Sequence, residues 1–165
     1  MSLINDCEDL TPEEWDRYGN LYSYEEAKAN APEGWRLPTD EDWKKLERAM
    51  GMSQGDADAT GFRGTEEGTL LQQDITGTGI ALPFGGYAIV TGRPAALCFR
   101  HWREFGYFWT ATEEKNETPF PDAYYRKISF RSSQIERGIT RIVDSNYETN
   151  YPKHMSVRYV RDAVD

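Results

Sequence analysis

One stretch of ten residues decides the fold: Gly34-Trp35-Arg36-Leu37-Pro38-Thr39-Asp40-Glu41-Asp42-Trp43. Pro38 fixes its own φ at about −65° and favours an extended conformation for the residue before it, so a short strand ends at Leu37. Thr39 suits the N-cap position, and Asp42 three residues later completes a capping-box pattern. Pro38 and Thr39 therefore fix the start of a helix predicted over residues 40–50.

The predicted helix carries an apolar stripe, because Trp43, Leu46 and Met50 recur at helical spacing. An amphipathic helix of this kind buries its stripe against the rest of the domain. We therefore expect Trp43 to lie in the core, and we expect Trp35 to join it from the short strand.

Two arginines on predicted strands need partners. Arg36 and Arg158 both stand beside apolar neighbours, where an arginine requires a carboxylate or water. We predict a structural ion pair, for example with Asp40 or Asp162. A role in binding an anion is the alternative.

Helical signals also precede this stretch. Ser23 and Glu26 form a second capping-box pattern, which predicts a helix that ends near Asn30, before a proline. Thr11 is followed by proline and two glutamates, which predicts a helical turn to about Arg17.

The chain beyond the predicted helix is dominated by strand signals. Residues 53–68 show no helical period and predict a polar loop, whereas β-branched, aromatic or alternating residues predict strands afterwards. The predicted strands are 69–72, 85–90, 105–112, 123–130, 138–144 and 155–161. The third of these contains Trp109, has aromatics on both faces, and is expected to lie centrally. Two N-terminal helices followed by a run of strands predict an α+β domain with a mainly antiparallel sheet.

Length and charge limit the organisation and the partners. The 165 residues suffice for one domain, which we place at 18–165, after an N-terminal tail at 1–17. The net charge of −9 argues against nucleic acid or an anionic membrane surface as a partner.

The sequence contains no apolar run that could cross a bilayer and no signal-peptide pattern at its start. It therefore reads as an intracellular protein, or as a mature chain whose leader has been removed. Cys7 and Cys98 allow one disulfide and show no metal-ligand spacing. We do not predict that they pair, because Cys7 lies in a tail expected to be loose.

Several motifs occur together in a fixed order. They are Tyr18-Gly19-x-Leu21-Tyr22, the stretch 32–43, Gly61-Phe62-Arg63-Gly64-Thr65-Glu66-Glu67-Gly68, Gly85-Gly86-Tyr87, the strand 105–112, and Ser156-Val157-Arg158-x-Val160-Arg161-Asp162. In this combination the chain, over roughly 18–162, resembles the Fibrobacter succinogenes major paralogous domain family of secreted or surface-attached bacterial proteins.

The resemblance implies a C-type lectin-like fold, in which two N-terminal helices flank twisted, mainly antiparallel sheets, and an extracellular or cell-surface location. The formylglycine-generating enzymes use a similar fold. The family often has a cysteine pair at the positions that Ala31 and Tyr159 hold here, so its usual disulfide is absent. The resemblance implies no general activity.

The sequence offers residues for two kinds of ligand site. Sugar binding without calcium would use exposed aromatic side chains, for which the candidates are Trp102, Tyr124 and Tyr151. The loops at about 53–68, 91–104 and 113–122 would carry recognition.

A calcium site would use Asp56, Asp58, Thr60 and Glu67, whose spacing approaches that of a calcium loop. Arg63 at the usually aliphatic eighth place and the lack of convincing flanking helices argue against it. We therefore expect no cofactor.

No catalytic constellation is identified. Cys98 and His101 would meet only on a helix, and no third group orients them. The sequence thus favours a non-catalytic surface binding or adhesion domain whose ligand is a glycan or protein. The alternatives are an enzyme on a formylglycine-type scaffold that lacks the usual cysteine pair, or a structural module of a cell-envelope assembly.

Overall fold

The computed structural model describes residues 7, 11–14, 20–72, 80–91, 96–146 and 149–163, with only the backbone described at 91, 144–146 and 149–151. Its helices are α1 (Tyr24–Ala29), α2 (Asp40–Ala49), α3 (Gln54–Asp58) and α4 (Glu67–Gln72). Its strands are β1 (Tyr22–Ser23), β2 (Gly61–Arg63), β3 (Tyr87–Thr91), β4 (Ala96–Arg100), β5 (Phe105–Glu114), β6 (Asp122–Ser129), β7 (Ile135–Arg141), β8 (Val143–Asn146), β9 (Thr149–Pro152) and β10 (His154–Met155).

The strands form two four-stranded sheets and a hairpin. One sheet has the order β1-β10-β3-β4, the other has the order β2-β7-β6-β5, and β8 pairs with β9. The named strands pair antiparallel throughout. Two isolated parallel bridges, Gly86 with Gly106 and Phe108 with Ser156, connect the two sheets. The predicted α+β class with mainly antiparallel sheets is confirmed.

Both predicted capping boxes are present. At α2, the Thr39 backbone N–H donates to Asp42 Oδ2 at 2.8 Å, and the Asp42 N–H donates back to Thr39 Oγ1 at 3.1 Å. At α1, Ser23 and Glu26 exchange the same two bonds. These reciprocal bonds satisfy backbone N–H groups that a helix start otherwise leaves without partners, so both helices begin where predicted.

Two groups of buried apolar side chains form the core. The first packs beneath α2 and includes Trp43, Leu71 and Phe108, and the second packs beneath α1 and includes Tyr24 and Trp109. The predicted burial of the tryptophans in α2 and in β5 is confirmed, since their exposed fractions are 3% and 0%.

The expectation that Trp35 lies in the core is wrong, because its side chain is 41% exposed. Its backbone N–H closes a turn onto the Pro32 carbonyl at 2.9 Å, after Gly34 with a φ of +82°. Strand pairing begins only at the next residue, as a single bridge between Arg36 and Val160. Trp35 therefore belongs to the turn and faces outward.

Several predicted strands differ from the observed elements. Residues 69–72 lie in α4 and not in a strand. At Gly68 this helix packs so closely on the segment that precedes β7 that a Cβ would stand 2.1 Å from the Gln134 carbonyl oxygen. A short apolar run has no period that separates a buried helix from a strand. The predicted strand 138–144 is divided at Ile142 between β7 and β8, and 155–161 contributes only the end of β10 and isolated bridges.

Other expectations concern loops and the N-terminal tail. Residues 53–68 are not a continuous loop, because α3 and β2 lie within them and α4 begins there. The segment around Cys98 is strand β4, not the helix that a Cys98–His101 contact would need. The predicted N-terminal turn is helical at 12–14, and its remainder at 15–17 lies outside the described residues.

Candidate functional site

A cleft of about 340 Å³ opens beside the turn that precedes α2. This volume falls within the range of roughly 300–1,000 Å³ that is usual for small-ligand sites. Its walls come from the turn, from α2 and from the C-terminal segment, and they are largely apolar. We call it the Trp35 cleft; its lining residues are Trp35, Pro38, Asp42, Trp43, Leu46, Ile80, Arg158, Tyr159, Val160 and Arg161.

Trp35 presents a large apolar ring at this cleft. The Arg161 guanidinium lies over the ring, 5.1 Å from its centroid, so a cation–π contact supports the indole from one side. The hydrogen bond to Pro32 fixes the backbone beneath it. The cleft therefore has an exposed aromatic surface on a fixed backbone.

Arg36 joins the turn, α2 and the C-terminal segment. Its backbone N–H donates to the Val160 carbonyl at 2.7 Å and its carbonyl accepts from the Val160 N–H at 2.9 Å. Its Nη2 donates to Asp42 Oδ1 at 3.2 Å and to Asp162 Oδ1 at 3.0 Å. The predicted ion pair with Asp162 is confirmed. The helix partner is Asp42 instead of Asp40, whose carboxylate is buried on another face of α2.

Arg158 and Arg161 stand at the cleft with exposed side chains. In the part of the chain that the structure describes, no carboxylate oxygen lies within 4.0 Å of either guanidinium. The expected structural ion pair of Arg158 is therefore not formed there, and the charge faces water. An exposed guanidinium without a carboxylate retains all its donors for an incoming group.

Trp43 and Tyr159 are the lining residues of the cleft that the rest of the domain holds in place. The buried indole of Trp43 forms part of the lining, and its Nε1 has no hydrogen-bond acceptor among the described residues. The Tyr159 hydroxyl donates to the Ala27 carbonyl at 2.6 Å, which ties the C-terminal segment to α1. Burial raises the pKa of Tyr159, so its phenol stays protonated at neutral pH.

A buried group of five charged side chains holds the inner face of α2 against the second sheet. Glu47 accepts from Arg63 at 2.8 and 2.7 Å and from Arg126 at 3.0 and 3.2 Å. Asp40 accepts from Arg126 Nη1 at 2.7 Å and from Arg137 Nη2 at 2.8 Å. We call these five residues the α2 charge cluster. Every member has an exposed fraction of 7% or less.

Within the α2 charge cluster, the surroundings of Asp40 and Arg137 favour their ionised forms. Burial alone would raise the pKa of Asp40, but the hydrogen bonds and charges of Arg137 and Arg126 outweigh it and lower that pKa. The hydrogen bond to Asp40 in turn raises the pKa of Arg137. The cluster positions the helix whose outer side lines the Trp35 cleft.

Sequence analysis missed the α2 charge cluster, although a signal was present. Asp40, Trp43 and Glu47 recur at positions i, i+3 and i+7, so two carboxylates share the helix face of the buried tryptophan. Arg126 and Arg137 face each other in the register of β6 and β7. Acidic residues in an apolar stripe and arginines within strands together indicate a buried ion network.

Acid titration of Asp42 offers a test of the link made by Arg36. The hydrogen bond from Arg36 lowers the pKa of Asp42 from its usual 3.8 to about 2, with the Thr39 N–H adding to it. A lowered folded-state pKa stabilises the fold above the unfolded pKa, and that stabilisation is lost as pH falls toward 2. We expect the free energy of unfolding to fall by up to about 2 kcal/mol between pH 4 and 2 through this group.

Urea denaturation at pH 5, 3.5 and 2.5 measures this loss for the wild type and for Asp42→Asn. The variant should be less stable at pH 5, and the difference should shrink as the pH falls, because the substituted amide does not titrate. Parallel stability curves for the two proteins would contradict the assignment.

Two of the three aromatic candidates from the sequence, Trp102 and Tyr124, lie outside the Trp35 cleft. Trp102 is half-buried, with Arg103 4.2 Å from its ring centroid. Tyr124 on β6 is half-buried, with Arg137 4.5 Å from its ring centroid. The side chain of Tyr151 lies outside the described residues. Sugar binding at these three positions stays a prediction.

The four calcium candidates occupy different elements. Asp56 and Asp58 lie in α3, Thr60 precedes β2, and Glu67 begins α4. Asp58 accepts from Lys44 and from Gln54, each at 3.0 Å, and buried Glu67 accepts from the Thr65 N–H at 2.6 Å. Over the described ranges, no group of three or more His, Cys, Asp or Glu side chains is arranged to hold a metal ion.

A second cleft of about 220 Å³ lies between the two sheets. Tyr87, Tyr107 and Tyr125 line it, together with Lys153, whose Nζ donates to Thr140 Oγ1 at 2.8 Å. Burial raises the pKa values of Tyr107 and Tyr125. Both phenols are therefore protonated at neutral pH and are not bases, and the Tyr125 hydroxyl donates to Glu136 Oε2 at 3.0 Å.

Cys7 and Cys98 form a disulfide with a Cα–Cα distance of 4.9 Å. The sequence analysis did not predict this pair. Cys98 is buried in β4, and the bond attaches Cys7 of the N-terminal tail to the first sheet. None of the described helices has the length and apolar character that crossing a bilayer requires.

Comparison with known proteins gives one result. The family model of the Fibrobacter succinogenes major domain matches residues 4–161, so the match starts within the segment that sequence analysis treated as a tail. No match was found among curated proteins or among solved structures. The matched range confirms the family resemblance drawn from the motifs, and the chain therefore belongs to the Fibrobacter succinogenes major domain family.

Proposed function

We propose that this chain is a non-catalytic binding domain of C-type lectin-like fold that works outside the cytoplasm and binds its ligand in the Trp35 cleft. The observation that carries the proposal is the exposed indole of Trp35, held at a concave, largely apolar site by a fixed turn. Large exposed aromatic side chains on rigid backbone are favoured anchors in recognition, because they contribute area at low entropic cost.

Two further observations support the fold and the location. Strand β1 near the start of the described domain pairs with β10 near its end, which suits a lectin-like arrangement with neighbouring termini. A disulfide suits an oxidising compartment, since cytosolic thiols are kept reduced. An extracellular or cell-surface location accounts for this bond.

The titratable groups that line the Trp35 cleft suit binding better than catalysis. Asp42 is engaged by Arg36 and by the helix N-terminus, and its low pKa makes it a poor proton acceptor. The Tyr159 hydroxyl is committed to the Ala27 carbonyl. These groups therefore build the site, and the ligand, a glycan or an apolar segment of a protein, would contact Trp35 and the two arginines.

A glycan array and a pull-down from cell-surface extract, followed by titration calorimetry on any ligand found, test this proposal. Trp35→Ala should weaken binding by roughly tenfold or more, since a buried aromatic anchor commonly contributes more than about 1 kcal/mol. The variant loses the Arg161 contact, but Trp35 is 41% exposed and the turn bond to Pro32 is made by its backbone N–H, so the variant should remain folded.

Phe130→Ala is the matched control, because Phe130 is also an exposed aromatic, with an arginine 5.0 Å from its ring centroid, and it does not line the Trp35 cleft. It should bind like the wild type. Blanks in both screens, or equal binding by Trp35→Ala and the wild type, would overturn the proposal. Loss of binding in Trp102→Ala but not in Trp35→Ala would move the site to the loops.

A further inference from the structure

We propose that the Trp35 cleft selects a carboxylate-bearing sugar, such as a uronate unit of an acidic polysaccharide. This inference rests on the proposed function and specifies its ligand class. Its basis is the charge at the cleft, which differs in sign from the charge of the whole chain.

The local charge is positive after the ion pairs are counted. Arg36, Arg158 and Arg161 contribute three positive charges, whereas Asp42 and Asp162 contribute two negative charges, which leaves one net positive charge. Both carboxylates are bound by Arg36. Of these three arginines, Arg158 and Arg161 are therefore the two whose guanidinium groups have no carboxylate partner among the described residues. The whole chain, by contrast, has a formal net charge of −9.

The two arginines project from a fixed backbone. Between them, Val160 exchanges two backbone hydrogen bonds with Arg36, and the Tyr159 hydroxyl is bound to Ala27. A guanidinium presents paired N–H donors in a planar fork that matches a carboxylate with two parallel hydrogen bonds. Fixing the backbone reduces the entropy that such a contact would cost.

The neighbouring indole adds a surface for a sugar ring. Trp35 and Arg161 are in contact, so a ring packed on the apolar lining would carry its carboxylate close to a guanidinium. A uronate combines both features, because its ring has an apolar C–H face and its carboxylate is attached directly to that ring. A neutral sugar would leave the arginines with water.

A sugar fits this wall better than an extended acidic peptide does. Peptides that add a strand need free backbone groups at a sheet edge. Here the Trp35 and Arg36 N–H groups are bound to Pro32 and Val160, and the Arg36 and Pro38 carbonyls already accept from Val160 and Ala111. Recognition at this wall therefore falls to side chains.

The test is calorimetry with galacturonate and glucuronate oligosaccharides, each beside its neutral methyl ester. The acid forms should bind at least about tenfold more tightly than the esters, and added salt should reduce the difference. Arg158→Gln and Arg161→Gln should each remove most of this preference. Arg158→Lys should retain part of this preference, because lysine keeps the charge without the planar fork.

Arg131→Gln is the control, since Arg131 is also an exposed arginine beside an aromatic ring and does not line the cleft. If acid and ester bind equally and Trp35→Ala weakens both, the proposal of an acidic ligand is overturned and the proposed function stands. Arg158-dependent binding of an oligoglutamate peptide, with no binding of any glycan, would replace the sugar with an acidic protein segment. No binding by any of these probes or by the glycan array and pull-down would overturn both.

Discussion

Glu47→Gln is expected to lower the free energy of unfolding by about 3–5 kcal/mol, the range measured when one partner of a buried ion pair is removed. Glu47 is 0% exposed, and both of its oxygens accept hydrogen bonds from Arg63 and Arg126. The amide has nearly the same shape, but it presents an NH₂ group and no charge to two buried guanidiniums. Urea denaturation followed by circular dichroism measures the loss.

Glu41→Gln is the matched control on the same helix. Glu41 pairs with Arg48 on the surface, with side chains 59% and 38% exposed, and exposed pairs contribute about 0–1 kcal/mol. The control should therefore unfold almost like the wild type. A loss below about 1 kcal/mol for Glu47→Gln would show that the α2 charge cluster does not hold the helix in place.

The local signals of the chain were the most predictive. A capping box depends on residues three apart, so Ser23 with Glu26 and Thr39 with Asp42 fixed two helix starts before any tertiary contact was known. The burial of Trp43 followed from the helical period in the same way. Such interactions form within one turn of chain, which is why sequence alone reveals them.

Interactions between distant segments were largely missed. Arg126 contacts Asp40 across 86 positions and Glu47 across 79, and Arg137 contacts Asp40 across 97. The sequence suggested Asp40 as a partner of Arg36 or Arg158 and gave Glu47 no role, whereas both carboxylates bind arginines of β2, β6 and β7. The helical spacing of the two carboxylates indicates a buried ion network, but no spacing rule identifies the arginines on distant strands that complete it.

The exposure of the Trp35 side chain was missed for a similar reason. Trp35 was expected in the core because it was placed in a predicted strand, and only the bridge between Arg36 and Val160 shows that strand pairing begins one residue later. The proposed site therefore includes the stretch that decided the fold, whereas recognition by the later loops stays a prediction. The alternative role of Arg158, which is to bind an anion, is therefore the one that we propose, with Arg161 as its neighbour.

Breaking the disulfide between Cys7 and Cys98 is expected to lower the free energy of unfolding by about 4–5 kcal/mol in the chain-entropy model, within the range of roughly 2–5 kcal/mol found for native disulfides. The two cysteines are 91 positions apart, so the bond restricts a large part of the unfolded chain. The contact also attaches the N-terminal tail to β4, which a loose tail would not do. Chemical denaturation of the oxidised protein with and without dithiothreitol measures the effect.

Cys7→Ser separates the bond from other changes, because Cys7 is the half-buried partner and Cys98 keeps its buried place in β4. The variant should match the reduced wild type, and dithiothreitol should not destabilise it further. Thiol labelling in denaturant should find no free cysteine in the oxidised wild type and one, Cys98, in the variant. Two free thiols in protein purified from an oxidising compartment would refute the pairing and would remove its support for an extracellular location. If the bond is present in the oxidised protein but its reduction leaves the stability unchanged, the unfolded chain gains little freedom when the bond is broken.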